Sequence, residues 1–264
     1  AGDLSVMKSE DNGETWSAVF KLTENQSWHQ APCNVWKEYG KVYLVMEREV
    51  YNDCKAWTPS ILAPVLMRGG ENADLCQKEN WTFASEIVFR DLVDQNKLSP
   101  FPIPFYTREK KSFSFPAPGR ENSPTGWLET NVVRISDPAH YWHDPSGKSF
   151  HLIMRTHTGG TGFAAIMKVV EDGDKPGSGA MKTVCEKLPS GKDIVFLPLP
   201  GGQMKFHIIY DEETKLYWLL SSQPTDSMTK AELLPSDRYN LPNNQRSRLV
   251  LHFSKNLVDW CFAG

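Results

Sequence analysis

The sequence has little that would direct the chain to a membrane or to a nucleic acid. In its 264 residues, no apolar run approaches the roughly 20 residues of a membrane span. The formal net charge is −3, and acidic and basic residues are interleaved, so the basic surface typical of nucleic-acid-binding proteins is missing. The main basic cluster, at residues 108–111, is interpreted as a solvated loop. We therefore expect neither a membrane span nor a nucleic-acid partner.

The sequence also has few features of a metal or disulfide protein. It contains five scattered cysteines, Cys33, Cys54, Cys76, Cys185 and Cys261. None forms a Cys-x-x-Cys pair, so we interpret them as buried free thiols. His140, His143 and His151 invite a metal hypothesis, but no His-Glu-x-x-His motif or carboxylate cluster accompanies them. We expect no metal site and no cofactor.

The N-terminus lacks the pattern of a secretory signal. Residues 1–4 have neither the basic start nor the apolar run of a signal peptide. Because a signal can be removed from a mature chain, a secreted or periplasmic location remains open and no compartment is assigned. The oligomeric state is also left unassigned.

Helical periodicity is nearly absent, whereas short strand-like segments are abundant. These segments are rich in Val, Ile, Phe and Trp, and turn residues bound them at close intervals. The only helical turn that we expect lies within residues 228–234. Many short strands with regular turns predict an all-β fold, which could be a sandwich, a barrel or a propeller.

A weak internal repeat favours the propeller. Three units read as strand, polar turn, strand, at residues 33–46, 130–154 and 204–220. A third apolar strand follows each unit, at residues 63–67, 163–170 and 248–253. Fourth strands are expected at residues 84–89, at residues 182–188 and after Trp260. Each unit with its two further strands has the pattern of one four-stranded propeller blade.

The repeat predicts a single domain of about three and a half blades. We assign blades to residues 28–90, 127–188 and 194–264, the end of an earlier blade to residues 1–22, and a long pocket-face insertion to residues 91–126. Because a propeller closes on itself, we expect this domain to be incomplete and to belong to a propeller of five or six blades.

One turn motif has the pattern Ser9-x-Asp11-x-Gly13-x-Thr15-Trp16. Gly13 tolerates the positive φ that a tight hairpin needs. The Asp11 carboxylate and the Thr15 hydroxyl can bond N–H groups of the turn, and Trp16 is expected to bury its ring between neighbouring sheets. This chemistry accounts for Asp11 as a structural residue, so we do not assign it as a catalytic acid.

A shortened copy of the turn motif lies near the other end of the chain. It contains Ser254, Asn256 and Trp260, and a third, more degenerate copy ends at Trp81. The full motif matches the Asp-box, which in sialidases joins strands three and four of a blade on the face opposite the pocket. The resemblance therefore implies which ends of the strands form the pocket.

Strand direction alternates within a blade, so the pocket face collects the starts of first strands and the ends of second strands. The candidate site residues at these positions are Glu47, Arg48, Glu129, Asn131, Arg155, His157 and Gln203. The long connection at residues 224–246 adds Tyr239 and Arg246. Long connections in compact domains are often functional rims.

Arg48 and Arg155 occupy equivalent places in consecutive blades. Two guanidinium groups that converge on a cleft suit a carboxylate or another anion. Alternatively, each arginine pairs with a nearby acid, such as Glu47, Glu49 or Glu129, and fixes a loop.

Taken as a whole, the chain resembles the sialidase (neuraminidase) superfamily and, more closely, a group of bacterial sialidase-like proteins. The segments that carry the closer resemblance are residues 128–132, 154–162, 200–204 and 249–256. Sialidases grip the substrate carboxylate with three arginines and use a Tyr/Glu pair and an acid/base Asp. The first arginine and that Asp belong to early blades, and no Phe-Arg-Ile-Pro motif is present.

The resemblance implies a sialidase-like glycoside hydrolase that acts on a terminal sugar, acidic sugars included, in a central cleft. Glu129 and His157 are the candidate catalytic groups, and Arg155 is a candidate triad arginine. The alternative is a non-catalytic propeller that binds a glycan or a protein on the same face, because propellers host many functions. In the first case the partner is a carbohydrate or glycoconjugate.

Overall fold

The computed structural model describes residues 2–29, 31, 33–53, 58–94, 126–157, 161–227, 229, 233 and 245–264. The described part is nearly all β, as the sequence predicts. Its helices are α1 (Phe89–Asp94) and two short 3₁₀ helices (Thr58–Ile61 and Lys78–Asn80). No helix in these ranges is long and apolar enough to cross a membrane. The helical turn expected within residues 228–234 falls largely outside the described residues.

The strands form one hairpin and then a first sheet of five strands. The N-terminal hairpin pairs β1 (Ser5–Val6) with β2 (Phe20–Lys21). The first sheet contains β3 (Trp28–His29), β4 (Trp36–Glu38), β5 (Lys41–Glu49), β6 (Leu62–Gly70) and β7 (Trp81–Phe83). β3 and β4 both pair with β5, so together they act as one interrupted first strand, and β6 and β7 follow in order.

The second sheet repeats this meander, and the third repeats it again. The second sheet contains β8 (Gly126–Val133), β9 (Ser149–His157), β10 (Phe163–Glu171) and β11 (Met181–Val184). A small hairpin of β12 (Glu186–Lys187) and β13 (Asp193–Ile194) follows, and β14 (Phe196–Pro198) pairs with β10. The third sheet contains β15 (His207–Asp211), β16 (Leu216–Ser222), β17 (Leu249–Ser254) and β18 (Cys261–Phe262).

The sheets pack face to face in chain order. Alternate residues of each strand point to opposite faces, so Tyr43 and Val45 of β5 face the second sheet, while Leu44 and Met46 face the N-terminal hairpin. One buried apolar cluster lies between the hairpin and the first sheet, and further clusters fill the interfaces between the first and second and the second and third sheets. We call the last two interfaces the first seam and the second seam. Successive antiparallel four-stranded sheets packed in this way make the fold a β-propeller type.

Two asparagines connect the first strands of neighbouring sheets. Asn34 accepts a hydrogen bond from the N–H of Val132 (2.8 Å) and donates to the carbonyls of Val132 and Ile208. Asn131 accepts from the N–H of Ile208 (3.0 Å) and donates to the carbonyl of Phe206 (3.2 Å). The edge of a first strand that faces away from the second strand pairs with no strand among the described residues. These side-chain amides satisfy the buried peptide groups along that edge.

The fourth strand of the first sheet lies earlier than the sequence predicts. A strand was expected at residues 84–89, but β7 ends at Phe83 and Phe89 begins α1. Ala84 donates its N–H to the carbonyl of Leu66 in β6 (2.9 Å) and forms an isolated parallel bridge to Met181. The apolar residues after it pack rather than pair, since the Phe89 ring meets the Trp127 ring edge-on at 5.3 Å. The blade limits and the incompleteness of the domain remain predictions.

The Ser9–Trp16 turn has dense local hydrogen bonding. Asp11 Oδ1 accepts from the N–H of Thr15 (2.8 Å), and Ser9 Oγ accepts from the N–H of Gly13 (2.7 Å). The hydrogen bonds from the Thr15 hydroxyl and N–H lower the pKa of Asp11 to about 2. Gly13 has φ of +95°. The expectation that Trp16 is buried is wrong: its ring is 57% exposed, lies against Gly13 and donates to the Gly13 carbonyl.

The Ser254–Trp260 turn uses the same kind of hydrogen bonds with Asn in place of Asp. Asn256 Oδ1 accepts from the N–H groups of Val258 (3.0 Å) and Asp259 (2.8 Å), and Ser254 Oγ accepts from the N–H of Leu257 (2.9 Å). Here Leu257 takes the positive φ of +63° and buries its side chain. Trp260 packs at the margin of the second seam.

Candidate functional site

The first seam carries a buried carboxyl group, Glu47, near the end of β5. Glu47 lies on the face of β5 that meets the second sheet, and its side chain has no exposed surface. Its Oε1 accepts hydrogen bonds from the N–H and the hydroxyl of Thr130, both at 3.2 Å. Its Oε2 has no hydrogen-bond partner among the described residues and lies 4.0 Å from His29 Nδ1.

Burial controls the charge of this carboxyl group. Removal from water raises the pKa of Glu47 to about 8, although the two hydrogen bonds from Thr130 lower it in part. The negative charge of the neighbouring Glu129 raises the pKa of Glu47 further. Glu47 is therefore mostly protonated at neutral pH and can donate a proton.

Glu129 sits in a β-bulge of β8. In the pairing of β8 with β9, Leu128 faces Arg155 and Thr130 faces Met154, so Glu129 is the extra residue. Its φ is +57°, a left-handed conformation that is uncommon for residues other than glycine. Bulges re-aim side chains and are frequent next to active sites. The bulge turns the Glu129 carboxylate towards Arg155.

Arg155, near the end of β9, holds Glu129 in an ion pair. Its Nη1 lies 3.2 Å from Glu129 Oε2, and the two side chains are only 9% and 16% exposed. Its Nε donates to the carbonyl of Gln203 (3.1 Å), which fixes the guanidinium between the second and third sheets. The Gln203 side chain is buried, and its Oε1 accepts from the N–H of Gly162 (3.0 Å).

Cys33 supports the bulge, a role for which its position in the sequence gives no signal. Its thiol donates to the carbonyl of Glu129 (3.0 Å), and its own carbonyl is bonded by His207 Nδ1 (2.8 Å). Burial raises the pKa of Cys33 to about 12, so the group stays a thiol. Cys33 and Thr130 both contact the cluster of Glu47, Glu129 and Arg155, and the sequence analysis predicted a site role for neither of them.

The prediction that Arg48 and Arg155 converge is wrong. Arg48 follows Glu47 directly, so it points to the opposite face of the first sheet, towards the segment around Gln26. There it forms an ion pair with Glu86. The residue of β5 that faces the next sheet, as Arg155 does on β9, is Glu47.

The remaining predicted site residues divide into three groups. Asn131 is fully buried and its amide connects two sheets, so the structure gives it a structural rather than a ligand-binding role. Arg246 is exposed, outside the cluster of Glu47, Glu129 and Arg155. The side chain of His157 and all of Tyr239 lie outside the described residues.

The histidines of the opposite face take structural positions. His151 is buried with its Nε2 2.5 Å from Glu186 Oε2, and burial lowers the pKa of His151. His143 Nδ1 bonds the carbonyl of Ile135 (3.0 Å). Within the described ranges, no group of three His, Cys, Asp or Glu side chains could hold a metal ion.

Comparison with known proteins yields a weak likeness of fold. No protein-family model and no curated protein matches the chain. A solved structure, the GH43 β-xylosidase/α-arabinofuranosidase CoXyl43 from a compost microbial metagenome in complex with xylotriose, is similar with 10% identity and a TM-score of 0.40. The match covers 88% of this chain and 56% of that one, so the chain spans little more than half of its length. At this identity and TM-score the likeness assigns no activity, and the resemblance to sialidases remains a prediction.

Proposed function

We propose that the chain is part of a glycoside hydrolase in which Glu47 donates a proton and Glu129 acts as the charged carboxylate. The observation that carries the proposal is that the Glu47 side chain is hydrogen-bonded to Thr130, the neighbour of Glu129 in the chain. Glu47 accepts from the N–H of the residue that directly follows Glu129. Glycoside hydrolysis needs one protonated and one charged carboxyl group, and different environments are what separate the two roles.

In the proposed reaction, Glu47 protonates the glycosidic oxygen as the bond to the anomeric carbon breaks. Glu129 then either attacks the anomeric carbon or removes a proton from the attacking water. The leaving group departs as an alcohol, and water supplies the new hydroxyl of the sugar. If Glu129 attacks, water then cleaves its ester with the sugar as Glu47 takes a proton from that water; otherwise the proton removed by Glu129 returns to Glu47 through solvent. Arg155 orients the Glu129 carboxylate, since its Nη1 is bonded to Glu129 Oε2.

The finer proposal is sialidase-like specificity for a terminal sugar, acidic sugars included. It rests on the sequence resemblance and on Arg155, whose guanidinium can donate hydrogen bonds to a substrate carboxylate next to Glu129. Because Arg155 already bonds Glu129 and the Gln203 carbonyl, a substrate carboxylate has to share this guanidinium with them.

The test is a screen of the purified protein against aryl glycosides, with sialosides and neutral sugars in parallel. We expect turnover of at least one substrate, and a loss of about 10²-fold or more in Glu47→Gln and in Glu129→Gln. Glu86→Gln is the control, because Glu86 pairs with Arg48 on the other side of the first sheet. Turnover at the wild-type rate in both glutamate variants would overturn the proposal.

A second function, glycan binding without catalysis, is favoured by one observation. Glu47 has no exposed surface, so a substrate reaches it only if the seam opens. If every glycoside fails while Arg155→Ala abolishes glycan binding, the chain is a binding propeller.

A further inference from the structure

A groove runs across the face of the molecule opposite to Glu47. One cleft of about 440 Å³ lies between the loop at residues 137–142 and the Ser254–Trp260 turn. A second cleft of about 520 Å³ lies between residues 136–138 and the turn that joins β15 to β16. The clefts share the lining residues Asp137 and Lys255, so they lie side by side, and we call the two together the groove. Each has the size of a small-molecule site.

The wall of the groove is held by bonds that do not depend on a ligand. His140 Nε2 bonds the carbonyl of Asn256 (2.9 Å), which ties the loop to the third sheet. The Trp142 indole N–H donates to the carbonyl of Lys187 (2.9 Å), and its ring stacks on His151 with an interplanar angle of 29°. The loop is therefore preorganised, which reduces the entropy cost of binding.

Between these two anchored residues, Tyr141 presents its ring to solvent. It is 62% exposed, and its side chain makes no hydrogen bond to any residue in the described ranges. The fold therefore makes little use of this ring. A rigidly carried aromatic ring beside a polar cleft offers an apolar platform with hydrogen-bonding groups at its margin.

The charges of the groove favour a neutral ligand. Its ionisable lining groups include three acids and two lysines, Asp137, Glu212, Asp259, Lys215 and Lys255. Neither sign dominates, so a polyanion or a polycation gains little by electrostatic attraction. Carboxylates and ammonium groups at a groove margin are well suited to the hydroxyls of a sugar, whose C–H face can stack on a tyrosine ring.

We propose that this groove binds a neutral oligosaccharide, with Tyr141 as the stacking platform. The site is separate from the glutamate pair, because it is formed by turns at the opposite ends of the strands. Binding here does not require catalysis, so the inference stands independently of the proposed hydrolase. A protein segment as the ligand is the competing outcome.

The test is affinity electrophoresis in gels that contain soluble xylan, galactomannan or mixed-linkage β-glucan, with heparin as the anionic probe. We expect at least one neutral polymer to retard the protein. Tyr141→Ala should lose at least tenfold in affinity for oligosaccharides of that polymer by calorimetry. Phe262→Ala is the control, since Phe262 is similarly exposed at 65% but lies outside the groove.

One further readout separates loss of binding from loss of the fold. Unchanged thermal melting of Tyr141→Ala should exclude misfolding. Retardation by heparin alone, no retardation by any neutral polymer, or equal retardation of wild type and Tyr141→Ala would each overturn the proposal.

Discussion

The ends of β5 and β9 occupy the same place in consecutive sheets, yet their charged residues behave differently. On β9, Arg155 points into the second seam and is held by Glu129 and by the Gln203 carbonyl. On β5, the arginine is one residue out of phase, so Arg48 points away from the first seam and Glu47 points into it. Because side chains alternate across a strand, an offset of one residue decides whether a group lines a seam or the opposite face.

The largest change in the free energy of unfolding should follow from breaking the ion pair of Arg155, the arginine that points into the second seam. Arg155→Met leaves the Glu129 carboxylate without its partner at 16% exposure, so we expect a loss of about 3 kcal/mol in the free energy of unfolding. Urea denaturation measures this value. The double variant Arg155→Met, Glu129→Gln should recover part of the loss, and strictly additive effects would contradict a coupled pair.

A smaller, pH-dependent effect is expected at Glu47. Its folded pKa of about 8 lies above the unfolded value, so between about pH 4.5 and 8 only the unfolded state releases the proton. Wild-type stability should therefore fall relative to Glu47→Gln as the pH rises through this range, by roughly 2.5 kcal/mol between pH 5 and pH 7. Denaturation at pH 5 and pH 7 tests the sign. A difference that is constant with pH would show that Glu47 keeps an ordinary pKa.

The smallest effect is expected at Arg48. Its side chain and that of Glu86 are 32% and 29% exposed, so their ion pair is partly screened by water. Arg48→Met should change the free energy of unfolding by less than about 1 kcal/mol and leave glycoside turnover unaltered. A loss as large as that of Arg155→Met would mean that the two arginines are equivalent after all.

Sequence patterns predicted the fold better than the site. Apolar alternation and polar turns were enough to locate the first three strands of each sheet, because these features are local. The fourth strand of the first sheet was misplaced because the apolar residues at 87–89 serve packing rather than pairing, as Phe89 does against Trp127. Local pattern does not distinguish these two uses.

The candidate site was predicted in part. Glu47, Glu129, Arg155 and Gln203 were predicted because they lie at the strand ends that the sequence analysis assigned to the pocket face. The bulge at Glu129 depends on the pairing of β8 with β9, and the hydrogen bond from the Cys33 thiol joins residues 96 positions apart. No local pattern reveals either contact. The alternation that turns Arg48 away is local, but using it requires knowing which face of β5 meets the next sheet.

The asparagine bridges between sheets bear on how the molecule opens. The N–H groups of Val132 and Ile208 donate to Asn34 and Asn131, which belong to other sheets. Their protection from hydrogen exchange therefore depends on contact between neighbouring sheets, whereas the amides inside a sheet are protected by strand pairing. These two protons report separation of the sheets from one another, and they can distinguish it from the unravelling of any one sheet.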